Sequence, residues 1–265
     1  MTELEWLSGW YCRPMYQVVR KQATTRQVRL YMAACCRLLE AEFFDPRILL
    51  AVEAAECCAD DPHVERVANA VGFKFATSPH PKLPQTGRDG ELARVIKGAN
   101  QLLDNWRDWN GVQHRDARHA IAHAAFMSLR DKPQEVFTGG AGDAAEYCTQ
   151  MIVDAATLLL GGTAEGLELY GPELESQTRR AIAGILRDIF GNPFRPVAID
   201  SSWLTSSVTG LAQTIYGERA FNHLPILADA LEDAGCTNAD ILNHCRQPGD
   251  HARGCWALDL ILGKE

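Results

Sequence analysis

Residues 24–59 read TTRQVRLYMAACCRLLEAEFFDPRILLAVEAAECCA, with apolar positions recurring at helical rather than strand spacing. Thr24-Thr25 can cap a helix running to about Phe44, with Val28, Leu30, Tyr31, Ala34, Cys35, Leu38 and Leu39 as a wide inward stripe. Asp45-Pro46 ends it and opens the next, because Asp caps well and Pro is tolerated at the first helical position. The second helix, Arg47 to about Ala59, carries Leu49, Leu50, Val52, Ala55 and Cys58. So short a connection makes the two antiparallel neighbours.

The same period continues outward. Residues 76–90 (ATSPHPKLPQTGRDG) hold three prolines and two glycines and read as a loop between a helical region 1–75 and a helical region 91–265. Helices are expected from about Glu91 to Trp109 and from Gln113 to Leu129. A glycine-rich break at Thr138–Gly142 precedes another from Asp143 to Leu160, stopped by Gly161-Gly162. Pro172 is expected to start a helix that ends at Phe190, before the Gly191-Asn192-Pro193 stop. Four short helices follow, near 203–216, 224–234, 238–246 and 252–262. Val197-Ala-Ile199 is too short for a strand. About ten helices joined mostly by short loops give an all-α fold, a multi-helix bundle or a short stack of helical pairs, with both regions packed as one domain.

Composition narrows the function classes. At 46% hydrophobic and 23% charged residues, the 265-residue chain has the make-up of an ordinary globular protein. A net charge of −8 argues against generic binding to nucleic acid or an anionic membrane, since a polyanion is repelled on average. One stretch runs the other way: Arg13, Arg20, Lys21, Arg26, Arg29 and Arg37 fall in a segment with no acidic residue. This basic patch reads first as a solvated helix face and second as a phosphate- or partner-binding surface. The start MTELEWLSGW has no apolar h-region, and no run of eighteen apolar residues occurs. A cytoplasmic protein is therefore expected, its nine cysteines reduced.

Chemistry concentrates at the C-terminal end. Cys236, His244, Cys245, His251 and Cys255 form a Cys-x7-His-Cys-x5-His-x3-Cys tract, the soft and borderline donors that a zinc site uses, at a spacing that matches no standard zinc module. On a helix His244 and Cys245 point about 100° apart, so only one of them faces a given metal. His251 and Cys255 share a face if the last helix begins near Asp250. Cys35 or Cys36 could be brought in from the N-terminal helix. The opposed reading makes these cysteines small core hydrophobes and the histidines helix-end caps. His119 and His123 are four apart, but Ala120 stands where a zinc protease needs Glu. Trp106–Trp109 reads as a helix end packing on a neighbour. No nucleophile elbow, Walker loop or dinucleotide fingerprint is present, and no catalytic residue can be assigned.

Several segments together resemble a family of uncharacterised bacterial proteins found mainly in planctomycetes as many paralogues. They are Glu5-Trp-Leu7, Arg13-Pro-Met15, Arg29–Arg37, Leu186-Arg-Asp-Ile-Phe-Gly-Asn-Pro-Phe-Arg-Pro-Val197, Glu218–Phe221, Leu224–Cys236, His244-Cys-Arg246, His251-Ala-Arg-Gly-Cys-Trp256 and Leu262–Glu265. The resemblance covers both ends and leaves about 60–170 unmatched. It implies a bacterial protein and, through the many paralogues, a recruitable adaptor; it brings no catalytic residue. If the two ends pack together, the Cys35/Cys36 helix and the Cys236–Cys255 region form one centre.

The expectation is thus a non-enzymatic helical adaptor that binds another protein, with zinc as the candidate structural ion. The alternatives are a metal- or thiol-dependent enzyme built around Asp250, His251, Cys255 and Asp259, and a nucleic-acid accessory factor using the basic 13–37 face. The cofactor is unassigned, with zinc the candidate, and no membrane is expected.

Overall fold

The computed structural model describes residues 1–42, 46–61, 124, 143–161, 164–249 and 251–264. Among these, ten α-helices occur and no strand, as the apolar period implied. They are α1 (Glu3–Ser8), α2 (Cys12–Val19), α3 (Thr25–Arg37), α4 (Pro46–Asp60), α5 (Ala144–Gly161), α6 (Ala164–Phe190), α7 (Ser206–Glu218), α8 (Leu224–Asp233), α9 (Ala239–Arg246) and α10 (Trp256–Leu262). The expected loop 76–90, the helices 91–109 and 113–129 (Ala124 excepted), the His119/His123 pair, Trp106–Trp109 and the glycine-rich break lie outside the described residues.

Local chemistry explains most of the boundaries. Thr24 caps α3 reciprocally: its hydroxyl accepts from the Gln27 N–H while the Gln27 side chain accepts from the Thr24 N–H. That helix stops at Arg37, short of the expected Phe44, and a 3-10 turn at Glu40–Glu42 follows. Pro46 is the first residue of α4, and Asp143 caps α5 by accepting from the N–H groups of Ala145 and Glu146 at 3.0 Å each. The inward face of α4 is Ile48, Ala51, Val52, Ala55 and Cys58, so Leu50 faces solvent.

Pro172 departs from its expected place. It sits inside α6, which begins eight residues earlier at Ala164. Proline inside a helix forfeits one backbone hydrogen bond. Here its position is exposed, so water can satisfy the freed carbonyl.

Two apolar cores result. The first is built by α1 to α6, around Trp6, Met15, Tyr16, Tyr31, Met32, Ile152, Ile182 and Leu186; the second by α7 to α10, around Val208, Ile215, Leu227, Leu231, Ile241, Leu258 and Ile261. The 186–197 segment holds α1 on the first core and meets the start of α10 on the second. Trp6 Nε1 donates to the Gly191 carbonyl at 3.1 Å, Arg187 donates through Nε to the Trp6 carbonyl at 2.8 Å and through its other end to the Gly9 carbonyl, and the Asn192 amide donates to Glu3 at 2.7 Å. Gly191 takes φ +63°, and a Cβ there would lie 3.2 Å from Trp256 Cγ, so only glycine both ends α6 and admits that indole.

Ion pairs seal the same seam. Arg26 grips Asp259 with both ends of its guanidinium, at 2.6 and 3.0 Å, and reaches Asp60 through Nε at 3.1 Å. Tyr216 donates to Asp60 at 2.8 Å. Buried Glu56 accepts from Arg37 on α3 and from Arg219 beyond α7. No helix among the described residues is long and apolar enough to cross a membrane.

Candidate metal centre

At the junction of the two cores, Asp188, His244, His251 and Cys255 each offer one donor atom, and these four atoms all lie within 4.8 Å of one another. Three segments deliver them. Asp188 stands in the last turn of α6, on a stripe that also buries Ile185, Leu186 and Ile189. His244 comes from the last turn of α9, and His251 and Cys255 from the connection between α9 and α10.

The expected helix around residue 252 does not form. Ala252 and Arg253 lie in a turn closed by the Cys255 N–H donating to the Ala252 carbonyl at 3.0 Å, and α10 begins only at Trp256. Gly254 sets this geometry: its φ is +94°, and a Cβ would come within 2.9 Å of Leu30 Cδ1 on α3. His251 and Cys255 therefore converge from a loop, not from one helical face.

The contacts are short. His251 Nδ1 and Asp188 Oδ1 are 2.6 Å apart, His244 Nε2 and Asp188 Oδ1 3.2 Å, and His244 Nε2 and Cys255 Sγ 3.1 Å. The Ala252 N–H donates to Asp188 Oδ2 at 2.8 Å, which leaves Oδ1 facing the histidines. The Gln247 amide lies 3.3 Å from His244 Nδ1, so Nε2 is the nitrogen turned inward. The two imidazoles meet edge to face, centroids 5.0 Å apart, and Trp256 covers His244 at 4.9 Å.

Little of this is open to solvent. Cys255 is fully buried, and the side chains of His244, His251 and Asp188 are 8, 6 and 5% exposed. Burial raises the Asp188 carboxyl, but the hydrogen bonds from His244 and His251 outweigh it and hold the group below its usual range. Burial first, and the Asp188 charge second, push the Cys255 thiol well above its ordinary value.

Of the five expected ligands, the structure brings together His244, His251 and Cys255. Cys236 and Cys245 are packed into the second core, outside the group. Between His244 and Cys245 it is the histidine that faces the centre, as the 100° argument allowed. Cys35 and Cys36 are both fully buried in the first core, away from the site. All nine cysteines are free thiols, and Cys57 is the exposed one.

Asp188 was not among the expected ligands, although it lies in the Leu186–Val197 motif. One signal could have found it. A carboxylate in the last turn of a helix opposes the macrodipole, and one set among buried apolar residues needs a specific partner.

The basic stretch is not a free cationic face. Arg20 pairs with Asp143 at 3.0 Å, Arg26 with Asp60 and Asp259, and Arg37 with Glu56 and Glu40. Arg29 is buried and donates to the Cys58 carbonyl at 3.3 Å. Arg13 and Lys21 are exposed, with Arg13 3.7 Å from Glu146. Arg13 and Arg20, on α2 and its C-terminal cap, meet the carboxylates at the start of α5, and Arg26 and Arg37 on α3 meet those of α4, α10 and Glu40.

No protein-family model, no curated protein and no solved structure matches the chain.

Proposed function

We propose that the chain is a non-enzymatic helical interaction protein that docks a short apolar segment of another protein on the outer face of α1. The observation that carries this reading is where the exposed large apolar side chains gather. Of the seven among the described residues, Met1, Leu4, Leu7 and Tyr11 fall within the first eleven positions, and Phe194 lies on the adjoining segment. Leu4 is 73% exposed while Trp6 on the same two-turn helix is fully buried. The helix is firmly anchored through Trp6, Arg187 and Glu3, yet it turns an apolar row outward. Isolated surface apolar residues need no explanation; a clustered row points to an interaction site.

A standard interface takes roughly 800 Å² and about 20–30 residues from each partner, so a row of four or five side chains suits a docked peptide better than a stable dimer of this chain. Glu5 beside it is 64% exposed, and the chain carries a net charge of −8, so the complementary segment is apolar and basic. The resemblance to a bacterial family with many paralogues supports the same adaptor role.

The two alternatives draw less support. A thiol- or metal-dependent enzyme needs an open coordination position or an accessible thiolate, whereas Cys255 is fully buried. A phosphate-binding face needs free cations, and three of the six basic residues are committed to carboxylates at 3.0 Å or less.

The test is the double variant Leu4→Glu/Leu7→Glu. Both side chains face solvent, so its thermal midpoint should match the wild type. Binding to a protein first captured by the wild type, then identified and purified, should weaken at least tenfold. Equal binding by wild type and variant would remove the α1 face from the account, and failure of any protein to bind would remove the adaptor reading.

A further inference from the structure

We infer that Asp188, His244, His251 and Cys255 form a closed zinc site that joins the two cores. This stands apart from the docking reading, and either can fail alone.

The donor chemistry comes first. Two imidazoles, one thiolate and one carboxylate make an N2SO set, borderline in softness, which suits zinc better than the hard cations that prefer all-oxygen shells. The charges balance: a thiolate and a carboxylate neutralise a divalent ion, so the loaded site holds no net charge in its buried surroundings.

Geometry agrees. Bonds of about 2.0–2.3 Å in a tetrahedron place donor atoms about 3.2–3.6 Å apart. The His244–Cys255 and His244–Asp188 distances of 3.1 and 3.2 Å need only tenths of an ångström of adjustment, and with no donor pair wider than 4.8 Å, closing on an ion takes about an ångström at most. The 2.6 Å contact between His251 and Asp188 must open further, as a hydrogen bond does when a metal replaces its proton. Four protein ligands in a nearly dry site leave no position for substrate, the mark of a structural rather than a catalytic zinc.

The surroundings are those of a ligand set held in place. The Ala252 N–H fixes Asp188 through Oδ2, the oxygen not aimed inward. Gln247 sits on the outer nitrogen of His244. When His244 Nε2 binds the ion, its proton resides on Nδ1, and the Gln247 amide turns to accept it through Oε1. Gln247 is thus a positioning residue, and it is exposed, so changing it does not disturb the core.

The site also explains an otherwise awkward arrangement. A polar group of four side chains at the meeting of two cores is costly unless it is fully satisfied. One ion bonded to all four satisfies them together, and it ties α6 to the α9–α10 connection.

The test starts with metal content of the natively purified chain, followed by titration of the metal-free protein with Co(II). The expected results are one zinc per chain, visible d–d bands of tetrahedral Co(II), and a thiolate-to-metal charge-transfer band that zinc abolishes. Cys255→Ser should lose the charge-transfer band, and Asp188→Asn should lower affinity at least tenfold. Should either variant fail to fold, Gln247→Leu still discriminates: it should fold normally and bind zinc about tenfold more weakly. A wild-type chain that binds no Co(II) beyond the pale octahedral spectrum overturns the site. So does a charge-transfer band that survives Cys255→Ser, which would place the thiolate elsewhere.

Discussion

At the scale of single residues, Gly254 and Leu30 show how a backbone constraint builds the centre. With φ at +94° and Leu30 Cδ1 2.9 Å from any added Cβ, Gly254→Ala meets strain and overlap together. We expect a loss of about 2–3 kcal/mol, read as a lower denaturant midpoint. Gly263 is the internal control, since its φ is +63° with open space around it. Gly263→Ala should cost about 1 kcal/mol, the backbone term alone. Equal losses at the two positions would mean that close packing on Leu30 does not shape the turn. This conformation was not visible in the sequence, where His251-Ala-Arg-Gly-Cys255 reads equally well as the first turn of a helix. The contact that decides it comes from more than two hundred residues away. Asp188 was hidden for the same reason, because its partners lie in segments that only the fold brings together. His244, by contrast, is one of the two neighbours that helical geometry left open, and it is the one that faces Asp188 and Cys255.

At the scale of elements, local signals did most of the work. Thr24 with Gln27, Pro46, Asp143 and Gly191 act within one turn, and α3, α4 and α5 begin, and α6 ends, next to them. Thr2 and Glu5 form a further capping box, legible in principle, that opens α1. Pro172 misled because a proline on a solvent-facing position can be carried through a long helix. The charged residues of α3 misled for a different reason. A run of cations without acids suggests a solvated face, but whether carboxylates from other helices meet it is a tertiary fact.

Those pairings carry a prediction at this scale. Glu56 is buried on α4 and holds both Arg37 and Arg219, the latter in a left-handed conformation, φ 56°, where a non-glycine residue needs compensation. Glu56→Ala leaves two guanidiniums facing a vacated, mostly buried position. Both keep some access to water, so the cost should be about 2 kcal/mol rather than the roughly 3–5 of a fully enclosed pair. An unchanged unfolding midpoint would show that Glu56 does not fasten α4 to α3 and α7.

At the scale of the whole molecule, the 186–197 segment works as the hub on which the architecture turns. Arg187 and Gly191 receive α1, Asp188 receives the α9–α10 connection, Gly191 admits Trp256, and Asn192 and Arg195 hold Glu3. The all-α class and the approximate helix number were legible because they rest on periodicity. The join was not, because it depends on long-range pairing of polar residues that carry no period. With the proposed ion bound, folding of the second core onto α6 would be linked to it, since only the assembled molecule presents all four donors.

The most direct test of the central claim is zinc-edge X-ray absorption on the natively purified protein. The expected spectrum is that of a four-coordinate shell with one sulfur at about 2.3 Å and three nitrogen or oxygen donors at about 2.0–2.1 Å. A shell with several sulfurs, a shell with none, or a chain isolated without zinc would contradict it.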